Sequence, residues 1–220
     1  MLVTIPTCGE SPHLGALVEA CIEGGASVLV ALNNANVDQE KFVYDQLNAV
    51  SPLHLSVLSY GEGLGLYEVW NECIKMCVGS AHTTGAILND DIYIHPDSVA
   101  VIENSIKSGL SVVGWDAFTP VVESPVSNPR QVSGTYRTHG LAGFAFAFDP
   151  AKIPTFDTDY TWWYGDDDWV ERVKYLGLPL FVEQECGVRH YPSTSQRARP
   201  WVMKHVEHDK SRFESKWGKK

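Results

Sequence analysis

The chain has 220 residues, of which 44% are hydrophobic and 20% are charged, so it can bury the core of one large domain and lacks the composition of a disordered protein. Its net charge is −10 and unevenly spread: from Arg197 onward eight Lys and Arg stand against three Asp and Glu, which leaves nine against 24 in the remainder. A body this acidic argues against extended contact with nucleic acid, and it would bind an acidic small molecule only through a metal cation.

Several sequence features bear on location. No apolar run reaches about 18 residues, so no transmembrane segment is expected. The N-terminal "MLVTIPT" has no basic region followed by an apolar one, so a secretory signal is not expected either. The five cysteines are odd in number and scattered through apolar contexts, which favours free thiols in a reducing cytoplasm. We therefore expect a cytoplasmic protein.

The first hundred residues alternate strand and helix patterns. Strands are predicted at 2–7, 27–35, 54–60 and 85–94, and helices at 11–25, 37–50, 65–80 and 95–109. Ser11 is the expected N-cap of the first helix, with Pro12 at its first position. Strands separated by helices of this length predict a mostly parallel sheet with helices on both faces.

The second half is more elaborate. Strands are predicted at 110–118 and 139–149, a loop at 120–133, a loop running into a helix that ends at Gly177, and one or two strands within 178–191. Near the C-terminus an apolar stripe at helical spacing predicts one more helix, formed by Val202, Val206, Phe213 and Trp217. The pattern as a whole predicts one α/β domain.

Polar side chains mark the ends of the predicted strands, where open parallel sheets bind ligands. They are Thr4, Thr7, Asn33, Asn34, Tyr60, Glu62, Asn89, Asp90 and Asp91, and Pro6 lies between the first two. Alternation along the fourth strand would send Asp90 to one face and Asp91 to the other, which suits a contact to a sugar hydroxyl and a ligand to a hard cation such as Mg²⁺ or Mn²⁺. The alternative is an Asx-rich turn where the strand ends.

A second acidic cluster lies in "WWYGDDDWVER". Three successive acids are typical of a helix N-cap and first turn. Aromatic neighbours, however, indicate a pocket with apolar walls, which raises the pKa of a carboxylate and suits a general base. The aromatic candidates for binding the C–H surfaces of an acceptor sugar are Trp162, Trp163, Tyr164 and Trp169.

His190 follows an apparent strand in "VRHYPSTSQ". A lone histidine is usually structural, but a neutral imidazole here would complete the coordination of a Mn²⁺ held mainly by oxygens.

The order of five segments resembles the GT-A fold glycosyltransferases, in particular the inverting family 2, over about residues 2 to 195. They are "TIPT", "WNECI", "LNDDI", "GDDDWVERVKYLG" and "RHYPSTS". The resemblance implies a GT-A domain at 1–196, with a nucleotide-sugar-binding half at 1–95 and an acceptor-binding half at 96–196, followed by a basic helical tail at 197–220. It implies metal-assisted transfer of a sugar from a nucleotide-diphosphate sugar, by preference a UDP-sugar, to an acceptor hydroxyl by a single inverting displacement.

The resemblance also implies roles for the donor-side residues. "NDD" resembles the DxD motif, with Asn89 in place of the first Asp, Asp90 touching the ribose or sugar, and Asp91 ligating Mn²⁺ or Mg²⁺ together with His190. The residues expected to border the nucleobase, the ribose or the rest of the donor are Thr4, Pro6, Thr7, Asn33 and Asn71.

On the acceptor side, "GDDDWVER" resembles the motif that supplies the catalytic base. Alignment on Arg172 places the base at Asp166, which we prefer, and alignment on the acidic pair places it at Asp167. Gly165 then replaces the family's Glu. Arg137 and His139 are further candidate contacts to the diphosphate or the acceptor.

Two other functions remain as alternatives. A sugar-phosphate nucleotidylyltransferase would need basic residues in its N-terminal loop, and "TIPTCGESPH" has neither Lys nor Arg. A non-catalytic nucleotide-sugar-binding module would suit the replacements at Asn89 and Gly165. The acceptor is open among glycan, lipid-linked sugar, protein and modified base. The tail is expected to cap the domain or form a homodimer contact, with binding to anionic lipid as the alternative.

Overall fold

The computed structural model of the protein describes residues 1–50, 52–61, 63–115, 124–132, 141, 143–191 and 200–218. Ten strands are present in this part of the chain: β1 Leu2–Thr7, β2 Ser27–Asn33, β3 Leu55–Tyr60, β4 Gly85–Leu88, β5 Ile92–Ile94, β6 Val112–Trp115, β7 Pro129–Gln131, β8 Ala145–Phe148, β9 Leu180–Glu183 and β10 Val188–His190. The α-helices are α1 Leu14–Glu23, α2 Val37–Leu47, α3 Leu66–Gly79, α4 Pro96–Lys107, α5 Gly165–Tyr175 and α6 Val206–Trp217, and 3₁₀ turns occupy Pro52–His54 and Pro200–His205.

Eight of the strands form one sheet in the order β3-β2-β1-β4-β8-β6-β9-β7. The first four are parallel; β8 runs antiparallel to β4 and β6, β9 is parallel to β6, and β7 closes the far edge antiparallel to β9. The other two strands, β5 and β10, pair with each other as a separate antiparallel ribbon. The predicted α/β fold with a mostly parallel sheet is confirmed, since four of the seven described pairings in the large sheet are parallel.

Apolar side chains cover both faces of the large sheet. Helices α1, α2 and α4 pack on one face, over a core that includes Val3 and Ile5 of β1. Helices α3, α5 and α6 pack on the other face, over an aromatic core that includes Phe146 and Phe148 of β8. Helices cover both faces of the sheet. A ligand can therefore contact polar groups at the edge where β1 and β4 end.

The structure corrects several predicted elements: β7 lies in the segment predicted as a loop at 120–133, and two further corrections bear on the site. The strand predicted at 85–94 is two strands: β4 ends at Leu88, Asp90 and Asp91 form a turn, and β5 pairs with β10. Helix α1 begins at Leu14 rather than after Ser11, and the Ser11 hydroxyl donates a hydrogen bond to the Asp90 carbonyl and accepts one from the His13 amide.

The tail packs on the body of the domain through α6, as expected for a capping element. Phe213 is buried beneath it, and the Trp217 indole donates a hydrogen bond to Asp168 at 2.9 Å. A homodimer contact through this tail stays a prediction. Among the helices that the structure describes, none is long and apolar enough to cross a membrane.

Candidate active site

Asp91 and His190 face each other across the β5–β10 ribbon, although 99 positions separate them in the sequence. Asp91 lies in the turn before β5, and His190 ends β10 in register with Ile92. His190 Nε2 is 3.3 Å from Asp91 Oδ1, and the Tyr191 amide donates to the Asp91 carbonyl at 2.8 Å. The antiparallel pairing thus joins the two residues that the sequence nominates as metal ligands.

The chemistry of this pair fits a divalent cation. Asp91 is 5% exposed, and its Oδ1 accepts no hydrogen bond from the part of the chain that the structure describes. Such a buried oxygen beside His190 Nε2 needs a cation as its partner, either the protonated imidazole or a bound metal ion. A carboxylate oxygen beside an imidazole nitrogen suits Mn²⁺ or Mg²⁺. Among the described residues, no three His, Cys, Asp or Glu side chains cluster as a complete metal site.

The Asp90 side chain is hydrogen-bonded to the end of β1. Its Oδ2 accepts a hydrogen bond of 2.5 Å from the Thr7 hydroxyl at the end of β1, and that hydroxyl in turn accepts one from the Gly9 amide. Burial, assisted by the charges of Asp91 and Glu10, raises the pKa of Asp90 to about 7, and the hydrogen bond from Thr7 opposes this shift. Near neutral pH Asp90 is therefore only partly ionised, so it can donate as well as accept a hydrogen bond at the carboxyl ends of β1 and β4.

Asp166 lies in the first turn of α5 with its carboxylate turned inward. Burial raises the pKa of Asp166, against hydrogen bonds from its own amide and those of Asp167 and Gly143. A carboxylate with a raised pKa is a stronger base when it is ionised. Asp167 is adjacent and half-buried, so both candidates for the base occupy the same helix N-terminus.

Gly165 is required by a close contact with Tyr67 of α3. A Cβ at position 165 would lie 2.3 Å from the Tyr67 ring, and the Gly165 amide donates to the Tyr67 hydroxyl at 3.0 Å. The same hydroxyl donates to the Trp162 carbonyl at 3.1 Å. The glycine that replaces the family's Glu is therefore explained by packing, and Tyr67 fixes where α5 begins.

Two consecutive residues that the sequence reasoning missed, Gly143 and Phe144, connect the candidate base to the candidate metal pair. The Gly143 amide donates to Asp166 Oδ2 at 3.2 Å. The Phe144 carbonyl accepts from the Asn89 amide at 2.7 Å, and the Phe144 ring stacks on His190 with centroids 4.6 Å apart. Gly143 and Phe144 therefore link Asp166 to Asn89 and His190 through two successive residues. Only the glycines of "GLAGFAFAF" hinted at such a close approach in the sequence.

Comparison with solved structures shows which fold the chain has. A mannosyltransferase of Pyrobaculum calidifontis in complex with GDP-Man and Mn²⁺ superposes with a TM-score of 0.60 at 14% identity, over 84% of this chain and 56% of that one. GalNAc-T7 with UDP, GalNAc and Mn²⁺ gives 0.65 at 14% identity, over 86% and 43%, and residues 1–349 of TarS from S. aureus give 0.60 at 13% identity, over 93% and 64%. The chain has the GT-A fold.

This likeness concerns the fold. No protein-family model and no curated protein matches the sequence. The chain spans about half to two thirds of the length of the solved glycosyltransferases that it resembles.

Within the GT-A fold, two predicted ligand contacts are core residues instead. Thr4 is fully buried, and its hydroxyl donates to the Ala86 carbonyl at 2.8 Å, so it ties β1 to β4 and does not border the nucleobase. Trp169 is 1% exposed, stacks on Phe156 at 5.0 Å and donates its indole N–H to the Pro154 carbonyl. It therefore does not belong to an acceptor platform.

Asn33 and Asn71 use their amides to hold backbone segments. Asn33 exchanges hydrogen bonds of 2.9 and 3.0 Å with the carbonyl and amide of Leu64. Asn71 does the same with Phe156, at 3.0 and 2.7 Å. These bonds give both residues a structural role, and their contact with a donor stays a prediction. Pro6, half-buried in β1 opposite Ala31, also remains a predicted donor contact.

Trp162, Trp163 and Tyr164 are half-buried in the segment before α5. The Trp162 ring meets Trp201 of the tail edge-on at 6.1 Å, so the tail contributes to this aromatic surface. The remaining predicted contacts, Arg137 and His139, lie outside the described residues, as do Glu62 and the loop after Tyr191.

Proposed function

We propose that this protein is a glycosyltransferase that moves a sugar from a nucleotide-diphosphate sugar, by preference a UDP-sugar, to an acceptor hydroxyl with inversion at the anomeric carbon. The observation that carries the proposal is the apposition of Asp91 and His190 at 3.3 Å, with a buried carboxylate oxygen that accepts no hydrogen bond from the described residues. Solved proteins of the same fold contain GDP-Man or UDP together with Mn²⁺, which supports a nucleotide and a metal at this edge of the sheet.

Asp91 and His190 would hold Mn²⁺ or Mg²⁺ together with donor phosphate oxygens. When bound, the cation would offset the charge that develops on the leaving diphosphate. Asp90 would accept a hydrogen bond from the ribose or the sugar, and Thr7 orients it for this. Asn89 would line the same turn, with its amide held by Phe144. The cation also accounts for how an acidic protein binds an acidic donor.

Asp166 would remove the proton of the attacking hydroxyl. Its carboxylate is fixed by the Gly143 amide, and its raised pKa favours proton transfer from an alcohol. The hydroxyl oxygen would then form the new bond to the anomeric carbon as the bond to the diphosphate breaks on the opposite face. Asp167 is the alternative base. Trp162, Trp163 and Tyr164 would form the surface on which the acceptor lies.

The proposal extends to location. None of the five cysteines, all of which the structure describes, forms a disulfide, and four of them are buried, which is typical of a protein from a reducing compartment. We infer a cytoplasmic protein on this ground.

A screen for donor turnover tests the proposal. The protein is incubated with a panel of UDP- and GDP-sugars and candidate glycan acceptors, with MnCl₂ or with EDTA, and the nucleotide released is measured. We expect release with at least one donor, dependent on the metal, and NMR of the product should show an inverted anomeric configuration. Retained configuration would refute the single displacement. Nucleotide-sugar binding without turnover would favour the non-catalytic module.

A further inference from the structure

The C-terminal helix α6 brings a buried carboxylate, Asp209, to the segment just before the candidate base. The Asp209 side chain has no exposed surface. Its Oδ2 accepts hydrogen bonds from three successive backbone amides, those of Thr161 at 3.2 Å, Trp162 at 3.0 Å and Trp163 at 2.9 Å. Its Oδ1 lies 3.3 Å from the Thr161 amide and 3.0 Å from Nδ1 of His208.

Three consecutive amides that point at one oxygen form a concave site for an anion. Buried backbone N–H groups need such a partner, since these amides serve no helix or sheet here. Burial alone would raise the pKa of Asp209, but the hydrogen bonds from Trp162, His208, Trp163 and Thr161 hold it below its usual value. The carboxylate therefore stays ionised and fixes the course of residues 161–163.

The fixed segment leads directly into the candidate base. Tyr164 follows with φ of 60°, a left-handed conformation that a tyrosine rarely adopts unless its surroundings impose it. The tail supplies further contacts here: the Trp163 indole donates to the Val202 carbonyl at 2.9 Å, and the Tyr164 ring packs against Phe213 at 5.6 Å. Gly165 and then Asp166 come next, so the direction in which α5 presents its first turn depends on this segment.

We propose that Asp209 is a positioning residue for glycosyl transfer: it acts from the tail through the 161–163 backbone to set the acceptor surface and the entry to Asp166. This role rests on the proposed function. The basic tail then has a function in addition to covering the core. Its Asp209 holds the backbone of the proposed acceptor surface and contacts neither Asp91 nor His190.

Other contacts of the same helix provide a matched control. Arg212 pairs with Asp157 at 3.1 Å and with Asp159 at 2.6 Å, and its guanidinium lies over the Tyr160 ring. These contacts fasten α6 to the body but do not touch the 161–163 amides. Arg212→Gln should therefore weaken the attachment of the tail without releasing the amides that Asp209 holds.

The experiment compares Asp209→Ala, Asp209→Asn and Arg212→Gln with the wild type, well below their melting temperatures. Three quantities are measured: hydrogen exchange of the 161–163 amides, affinity for UDP with MnCl₂, and turnover of the donor found in the screen. In Asp209→Ala we expect faster exchange at these amides, unchanged UDP affinity, and turnover lower by about 10- to 100-fold, as for a small misplacement of reacting groups. Asp209→Asn keeps one acceptor oxygen and should restore part of both protection and turnover.

The outcomes separate positioning from stability. If Arg212→Gln loses as much turnover as Asp209→Ala, or if Asp209→Ala keeps wild-type turnover, the positioning role is wrong. Equal losses of UDP affinity and turnover in Asp209→Ala would also overturn it, since they would indicate general disruption. If the wild type releases nucleotide from no donor, the proposed function is refuted, and the positioning role is refuted with it. Hydrogen exchange would still show in that case whether Asp209 protects the 161–163 amides.

Discussion

Substituting Gly143 by alanine should misplace the candidate base while leaving the metal pair intact. A Cβ at this position would lie 2.6 Å from Asp166 Oδ2 and 2.8 Å from its Cβ. Gly143 does not have a left-handed backbone, so alanine is compatible with its local conformation. The whole strain therefore falls on the contact with Asp166.

The size of the effect follows from that contact. Ordinary contact distances are about 3.5 Å, so the carboxylate must retreat by about 1 Å. The same movement stretches the 3.2 Å hydrogen bond from the Gly143 amide. A misplacement of about 1 Å can cost 10²-fold in rate, which corresponds to about 2.7 kcal/mol in the activation barrier. We therefore expect kcat to fall by roughly 10- to 100-fold.

The assay measures nucleotide release in the presence of MnCl₂, alongside UDP affinity by calorimetry and the melting temperature. Gly79→Ala is the matched control, because a Cβ there meets nothing within 4 Å at the end of α3. The control should keep wild-type turnover. If Gly143→Ala also keeps it while remaining folded, Asp166 is not at the reacting centre, and the assignment of the base is refuted.

Three further predictions test the site. Asp166→Asn should keep UDP affinity but lower turnover by about 10²- to 10⁴-fold, the usual contribution of a general base, whereas Asp167→Asn should cost much less; the reverse order would move the base to Asp167. Because burial raises the pKa of Asp166, turnover should fall as the pH drops through a value above the ordinary 3.9 or so of aspartate, and a flat kcat profile down to about pH 4 would contradict this. His190→Ala should weaken UDP binding in MnCl₂ but not in EDTA, and calorimetry in both buffers would show whether the loss depends on the metal.

Hydrophobic periodicity and capping residues in the sequence predicted several helices and strands correctly. β1 has the predicted bounds, and α2 begins where Asn36 and Gln39 form a reciprocal capping box. α3 falls within one residue of its predicted ends at each side. In these segments hydrophobic periodicity and capping agree with the final packing, so the local sequence is sufficient to predict where the elements begin or end.

Long-range contacts decided what local patterns did not predict. The run at 85–94 looks like one strand, yet it splits because its second part pairs with β10 almost a hundred residues later. The Ser11 hydroxyl accepts from the His13 amide but also donates to the carbonyl of Asp90, and α1 begins only at Leu14. Trp169 lies among acids and aromatics, yet its ring packs into the core on Phe156. None of these partners is visible from the neighbouring sequence.

The residues of the candidate site were likewise predicted only in part. The pairing of Asp91 with His190 followed from the order of motifs, although metal binding by the pair stays a prediction. The supporting residues, Tyr67, Gly143, Phe144 and Asp209, act through backbone hydrogen bonds and ring contacts that carry no sequence motif.

The assignment of Asp91 as a metal ligand is tested most directly by asking whether nucleotide binding requires both a metal ion and this carboxylate. Calorimetry of UDP and of GDP against the wild type and Asp91→Ala, each with MnCl₂ and with EDTA, isolates the contribution of this one carboxylate. We predict that the wild type binds at least one of the nucleotides strongly only with MnCl₂, and that Asp91→Ala binds it weakly and equally in both buffers. Metal-dependent binding that survives in Asp91→Ala would contradict the assignment of the site.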